Sequence, residues 1–330
     1  MEKAVDALMT DEILHHFLSI FSLDTVNYKK LGDFENYVYQ TSKHGEELIL
    51  RITHSSHRKL QELLSEVDWM SFLRAEGVKV PRGVPSQDGN MVEALEAYDG
   101  SVFYASVFSK AEGKPISVHA PVFNKELFYV WGRAVGKMHT ATKSYVPSAG
   151  TIPRMQWHEE ELLNVEKYIP EKDQLIVQNT KELLNLLQTL PKHKNNYGLI
   201  HTDIHSGNFF YDGKEIQVFD FDDCCYHWFA SDIAIPLYYS LLYKFKEADQ
   251  SEINGFGRGF LDSFLDGYQL ENEFPGDLEK HLPLFLRLRD ITLYSVLHKK
   301  IAPEDRTPQL LKMMKSIKDR IERNVPIYIS

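Results

Sequence analysis

The sequence predicts an α+β protein, with its strands gathered in the N-terminal third and helices filling the rest. Three observations carry that expectation. Short β-branched and aromatic runs, separated by glycine and aspartate turns, recur up to about residue 108. From about residue 111 apolar residues fall at helical spacing and prolines punctuate them. The composition of the 330 residues (43% hydrophobic, 12% aromatic, 25% charged, net charge −10) is that of a globular enzyme with ample core. It excludes a disordered chain, a collagen-like repeat and a coiled coil.

Residues 25–31, 36–42 and 47–53 read as strands. Val26, Tyr28, Val38, Tyr39, Leu48, Ile49, Leu50 and Ile52 supply their β-forming content. Gly32 with Asp33 breaks the first pair, and Lys43, His44 and Gly45 break the second. A helix is expected over 57–75, where Leu60, Leu63, Leu64, Val67 and Met70 recur at helical spacing. Glu66 shares their inward side, and an acid there needs a partner. Gly77 and Pro81 stop the helix. Strands near 91–97 and 101–108 flank Tyr98, Asp99 and Gly100, a hairpin signal.

Beyond them, helices are expected over 124–142, 157–168, 172–190, 231–246, 253–268, 278–301 and 308–323. Pro147, Pro153, Pro170, Pro191 and Pro275 lie between them. The joint between the two parts falls in 107–115, which divides the chain into 1–107 and 108–330.

No apolar run is long enough to span a membrane. The start, MEKAVDALMTDEILHHF, carries acids and histidines where a signal peptide needs a basic start and an apolar stretch. The two cysteines, Cys224 and Cys225, are adjacent and make no disulfide framework. These features point to the cytoplasm, with no membrane partner. The acidic balance points away from nucleic acid.

Chemistry concentrates in 199–223, LIHTDIHSGNFFYDGKEIQVFDFDD, with a hairpin expected around Asp212 and Gly213. Over 200–240 seven acids (Asp203, Asp212, Glu215, Asp220, Asp222, Asp223 and Asp232) meet one base, Lys214. Clustered carboxylates repel unless something cationic sits among them, and oxygen ligands beside phosphate suit Mg²⁺.

His201-x-Asp203-x-x-x-x-Asn208, followed by Phe219, Asp220, Phe221 and Asp222, resembles the catalytic and metal motifs of the aminoglycoside phosphotransferase and choline kinase superfamily. That superfamily shares the protein-kinase fold. The resemblance implies two lobes, a small antiparallel β lobe with one helix and a larger, mostly helical one, and it implies ATP and Mg²⁺ as cofactors. It makes Asp203 the base that accepts the acceptor hydroxyl's proton and Asn208 and Asp220 the metal ligands, with His201 holding the loop's geometry. Asp222 takes a supporting place beside the metal or the catalytic loop. Asp232 resembles the family's helix-start acid, able to cap its helix and anchor the loop.

By the same resemblance the first lobe covers ATP. The turn 32–36 (GDFEN), from Gly32 to Asn36, would lie over the phosphates, although it also reads as an ordinary hairpin turn. The family's nucleotide lysine falls on Arg51, which keeps the charge and changes the donor geometry. Glu66 would pair with Arg51, and the joint from Val107 to Ser109 would offer backbone hydrogen bonds to adenine.

Other motifs carry less. His201, Asp203 and His205 could form a hydrolase zinc cluster, but no HExxH supports it. His158 with the acids after it reads as a solvated helix start, and Gly255, Gly257 and Gly259 as a helix-entry loop. His139 is expected to pack a helix. Trp157 and Trp228 could line a pocket or fill the core.

Asp232 follows Asp222 by only ten positions, too few for the activation segment of a eukaryotic-type protein kinase. This points to a small hydroxyl-bearing acceptor. Asp223, Tyr226 and Trp228 suit one that carries an amine: an aminoglycoside, an amino alcohol or a hydroxy amino acid. Two alternatives stay open: a bacterial-type Ser/Thr protein kinase, and a nucleotide-binding pseudokinase for which Arg51 is the only support.

Overall fold

The computed structural model describes residues 3–245, 249–275 and 277–329. They fall into two compact units. Unit 1 is Met1–Gly113 with Tyr145–Arg154 and Gln217–Asp222; unit 2 is Lys114–Ser144, Met155–Ile216 and Asp223–Ser330.

Unit 1 opens with two helices that the strand-based reading did not foresee, α1 (Lys3–Asp6) and α2 (Asp11–Ile20). The Thr10 hydroxyl accepts from the Ile13 amide and caps α2, which buries Ile13, Leu14, Phe17 and Leu18. The strands are β1 (Lys29–Gly32), β2 (Tyr37–Lys43) and β3 (Glu46–His54); helix α3 (Leu60–Ala75) follows, then β4 (Gly83–Val84), β5 (Val92–Glu96) and β6 (Val102–Ser109). They form one antiparallel sheet in the order β1-β2-β3-β6-β4, with β5 also on β6. Leu48, Leu50, Ile52, Phe103, Ala105 and Val107 bury against α2 and its neighbours.

Strand β1 starts at Lys29 rather than at residue 25. Asp24 Oδ1 accepts from the amides of Val26 and Asn27, each at 2.9 Å, and this turn takes residues 24–27 out of the ladder. Strand β6 runs on to Ser109, so a division at 107 would cut a strand. Unit 1 also gathers two later segments onto α3. Tyr145 Oη donates to Asp68 at 2.7 Å, and Ser65 Oγ donates to the Ile152 carbonyl at 2.5 Å. Phe221 meets Trp69 edge-on at 5.4 Å.

Unit 2 is mostly helical. Its elements are α4 (Lys125–Thr142), α5 (Gln174–Gln188), β7 (Tyr197–Ile200), β8 (Phe209–Tyr211), β9 (Ile216–Val218, where the chain passes into unit 1), β10 (Cys225–Trp228), α6 (Phe229–Lys244), α7 (Gln250–Tyr268), α8 (Leu278–Lys300) and α9 (Pro308–Glu322). Asn124 caps α4 by accepting from Glu126 and Leu127 amides. Helices α4 and α7 cross in direct backbone contact. A Cβ on Gly132 would lie 1.8 Å from the Phe264 carbonyl oxygen, and one on Gly267 would lie 1.9 Å from that of Tyr129.

Two expectations are corrected here. Residues 157–168 are not an α-helix but three short 3-10 turns, Trp157–Glu159, Glu161–Leu163 and Val165–Lys167. Glu160 is extended and its carboxylate accepts from the Leu162 amide, so side-chain capping interrupts the helix. Gly255, Gly257 and Gly259 lie inside α7 rather than in an entry loop, and the bare Gly257 admits the ring of Tyr328, 2.5 Å from where its Cβ would be. The expected end of the 231–246 helix, at residue 246, lies outside the described residues. No helix among the described residues is long and apolar enough to cross a membrane.

Candidate active site

The predicted site residues are divided between the units. Asp203, Asn208 and Asp223 belong to unit 2, whereas Arg51, Glu66, Asp220 and Asp222 belong to unit 1.

In unit 2 the loop after β7 is pinned from beneath. Asp232, fully buried in the first turn of α6, accepts from the amide of His201 at 2.9 Å and from that of Thr202 at 2.8 Å. It serves as the loop's anchor and does not cap its own helix, which already starts at Phe229. Both its oxygens are committed elsewhere, His139 Nε2 lying 3.4 Å away as well. Thr202 is held at φ 65°, a left-handed backbone that costs energy in a β-branched residue and persists because this acid grips both amides. His201 is fully buried, and its Nδ1 accepts from the Asp203 amide at 3.2 Å. That geometry suits a ring that shapes the loop.

Asp203 is half-buried and faces several groups. Arg289, from the middle of α8, pairs its Nη2 with Asp203 Oδ1. On the other oxygen, Asn208 Nδ2 donates at 3.1 Å and His205 Nε2 lies at 3.5 Å. His205 Nδ1 accepts from the Gly207 amide, which leaves the ring proton on Nε2, toward Asp203. Burial pushes the Asp203 carboxyl up to about 6, against the pull of Arg289 and with the Asp223 charge adding to the rise. Burial likewise pushes His205 down to about 3, with Arg289 repelling its charged form, so the ring is neutral. Asn208 spends its amide nitrogen on Asp203, on the main-chain oxygen at 2.9 Å as well as on the carboxylate. Both of those bonds use Nδ2, so Oδ1, which can only accept or ligate, takes no part in them. Asp223 gives its main-chain oxygen to Thr202 Oγ1 at 2.6 Å.

In unit 1, Arg51 and Glu66 are brought together in a buried two-pronged pair, at 2.8 and 2.5 Å. Burial opposes the Arg51 charge, but the Glu66 carboxylate holds the guanidinium above its ordinary value. Arg51 Nε is a buried donor with no hydrogen-bond partner among the described residues.

Asp222 is buried and gripped on every side. His57 Nε2 lies at 2.6 Å, Arg58 Nε at 3.3 Å and Asn36 Nδ2 at 3.3 Å, while Arg154 Nη2 donates to its main-chain oxygen at 2.5 Å. Burial alone would raise this carboxyl; Arg58 and His57 overcome it and hold it well below the usual carboxylate range. Glu35, His57 and Asp222 also bring three ligand-type atoms within 4.8 Å of one another, but Arg58 already occupies Asp222, so the set is a charge network rather than a metal centre. Asp220, two residues back, is exposed and held at φ 66°.

The turn 32–36 leaves Gly32 to Phe34 exposed, while Asn36 is buried, accepting from Thr53 Oγ1 at 2.7 Å. Two expectations do not stand in this geometry. Val107 sits inside β6 with β3 on one side and β4 on the other, so its backbone is committed to the sheet, and the Ser109 amide donates to the Arg82 carbonyl at 2.8 Å. Trp228 is packed at 2% exposure against Trp157, Tyr197 and Phe285, with Nε1 donating to the Pro191 carbonyl at 3.0 Å. It is a core residue and not a pocket wall. The residues that sequence reasoning missed are Arg289, Tyr239, His57, Arg58 and Arg154. Arg289 stands 86 residues from Asp203, and His57, Arg58 and Arg154 stand 165, 164 and 68 residues from Asp222.

The model of the phosphotransferase enzyme family matches residues 29–274. An amicoumacin kinase of Bacillus subtilis (strain 168) is 38% identical over 307 residues, 93% of this chain and 90% of that protein. An amicoumacin kinase solved in complex with AMP-PNP, Ca²⁺ and Ami superposes with a TM-score of 0.93 at 35% identity, over 99% of this chain and 98% of that one. A microcompartment-associated aminopropanol kinase superposes with a TM-score of 0.77 at 21% identity, over 96% and 100% of the two chains, which shows a common fold. The α+β, protein-kinase-like fold expected from the motifs is the fold these structures share.

Proposed function

The chain belongs to the phosphotransferase enzyme family, and from that premise we propose that it phosphorylates a hydroxyl of an amine-bearing small molecule of the amicoumacin kind. It is an ATP-dependent small-molecule phosphotransferase that works with a divalent metal. The observation that carries the finer reading is the setting of Asp203: a half-buried carboxylate on a loop pinned by Asp232, with an amide at one oxygen and an arginine at the other.

In this reading the acceptor hydroxyl donates to Asp203, which takes the proton as the oxygen attacks the γ-phosphorus, and the bond from that phosphorus to the β,γ-bridging oxygen breaks to release ADP. His201 and Asp232 keep the loop in place. Asn208 Oδ1 and the Asp220 carboxylate would hold the metal, and hard oxygen donors of this kind favour Mg²⁺. The metal supplies neutralisation of phosphate charge. Arg51, fixed by Glu66 and with a buried Nε still to be satisfied, would meet a nucleotide phosphate oxygen. The turn from Gly32 to Asn36 would offer amides to the phosphates. Unit 1 would thus serve the nucleotide and unit 2 the acceptor and the proton. Asp222 would keep Arg58 and His57 ordered, and Asp223 would attract the acceptor's amine.

A protein acceptor finds no support. Between Asp222 and Asp232 the chain runs through β10, paired residue for residue with β7 from Cys225 opposite Ile200 to Trp228 opposite Tyr197, and straight into α6 at Phe229. The test is transfer of labelled phosphate from ATP, with Mg²⁺, to amicoumacin, a simple amino alcohol and a neutral sugar. Label should reach the amine-bearing alcohols; label on the sugar alone would refute the acceptor class.

A further inference from the structure

Arg289 does more at Asp203 than a counter-ion needs to do. Its Nη2 pairs with Asp203 Oδ1 and also donates to Tyr239 Oη at 2.6 Å, and its Nε donates to the same oxygen at 3.0 Å. The guanidinium lies 4.8 Å from the centre of the Tyr239 ring, and that ring stacks on Tyr243 at 5.3 Å. An acid and a tyrosine therefore fix the plane of the fork. What remains is Nη1, whose two N–H groups have no partner among the described residues, on a side chain still 21% exposed. A lysine could supply the charge; only an arginine supplies this third donor in a fixed plane.

We propose that Arg289 is a specificity-determining residue that reads a carbonyl oxygen on the carbon next to the acceptor hydroxyl. This rests on the reading of Asp203 as the base. Asp203 and Arg289 Nη1 then present an acceptor and a donor side by side. A hydroxyl and an adjacent carbonyl offer the complementary pair at the same short spacing: the hydroxyl donates to Asp203 and the carbonyl accepts from Nη1. The acceptor class this selects is the α-hydroxy amide or α-hydroxy acid, over a plain amino alcohol. Leaving a charged donor unpaired on the wrong acceptor is what makes the discrimination large.

The experiment compares kcat/KM of the full chain, with ATP and Mg²⁺, for 3-amino-2-hydroxypropanamide and 1-aminopropan-2-ol, which share amine and hydroxyl and differ in the carbonyl. The wild type should favour the amide by about tenfold or more. Arg289→Met should bring the ratio close to one. Arg289→Lys should lower the ratio while retaining more kcat than the methionine variant, and Tyr239→Phe, which loosens the brace, should lower it by less. A ratio unchanged in the arginine variants would mean that Arg289 serves Asp203 or the phosphoryl group alone, and overturns the proposal. So does a wild-type ratio near one, or no turnover of either compound. If the methionine variant does not fold, the lysine variant decides. Asp203→Asn separates the two readings: turnover that survives it removes the base assignment, whatever the ratio does.

Discussion

Asp222 in unit 1 and Asp203 in unit 2 each meet an arginine in a partly enclosed setting, yet they end with opposite proton affinities. Asp222 is drawn down and Asp203 is pushed up to about 6. Burial raises both. The difference lies in what else surrounds them. Asp222 has Arg58 and His57 on its oxygens and Asn36 donating to it, with the charge of Arg51 added. Asp203 has one arginine that it shares with Tyr239, a histidine held neutral, and the like charge of Asp223. One acid is surrounded to stay ionised as a structural anion. The other is kept close to the point where it can take a proton, which suits a base.

The largest effect should come from breaking the second of these. Asp203→Asn keeps the shape and the bond to Asn208 but removes the proton acceptor. It should cut kcat by about a thousandfold or more while ATP-analogue binding changes by less than about threefold. Radiometric turnover and calorimetric titration together check this, and a kcat within tenfold of the wild type would end the contrast. Asp222→Asn attacks the other member. It leaves Arg58 and His57 facing a neutral amide in a buried place. Urea unfolding should show a loss of about 3 kcal/mol. If stability is unchanged, Asp222 is not the anion that organises unit 1.

The two acids also show where a sequence can be read and where it cannot. Asp203 and Asn208 stand five residues apart on one loop, and their contact follows from that spacing. Glu66 was legible because it shared the inward side of α3 and so required a cation, and Arg51 answers it fifteen residues upstream. Arg289 lies 86 residues from Asp203, in a helix whose periodicity says nothing of which acid its charge will meet. His57, Arg58 and Arg154 reach Asp222 only through tertiary folding. Among the elements, α4 was marked by Asn124 and a clean apolar stripe. The 3-10 turns at 157–168 were hidden because acidic side chains compete with the helix for main-chain amides, an effect that apolar spacing does not record. Helix α2 carried Thr10 as a cap and Ile13, Leu14, Phe17 and Leu18 on one face, a pattern open to reading in a segment judged only for targeting content.

The smallest expected effect is also the one that distinguishes the two acids by sign. A carboxyl whose folded value is depressed stabilises the protein above its unfolded value and loses that contribution as pH falls through the folded value. Asp222 is such a group, so the wild type should lose stability below about pH 4, and Asp222→Asn should show a flatter acid limb. Asp203 runs the other way. Between its ordinary 3.8 and about 6 the folded protein holds more protons than the unfolded chain, so stability falls as pH rises across that window. Asp203→Asn should abolish this fall and leave the acid limb below it intact. The same ionisation should appear in kcat/KM for the acceptor, which should drop as pH goes below about 6, because the free enzyme then carries a protonated Asp203. Urea midpoints from pH 3.5 to 7.5 for the wild type and both asparagine variants read the two slopes. Slopes of the same sign at both positions would mean that the partners counted here do not set the proton affinities, and the division into a structural anion and a base would have to be abandoned.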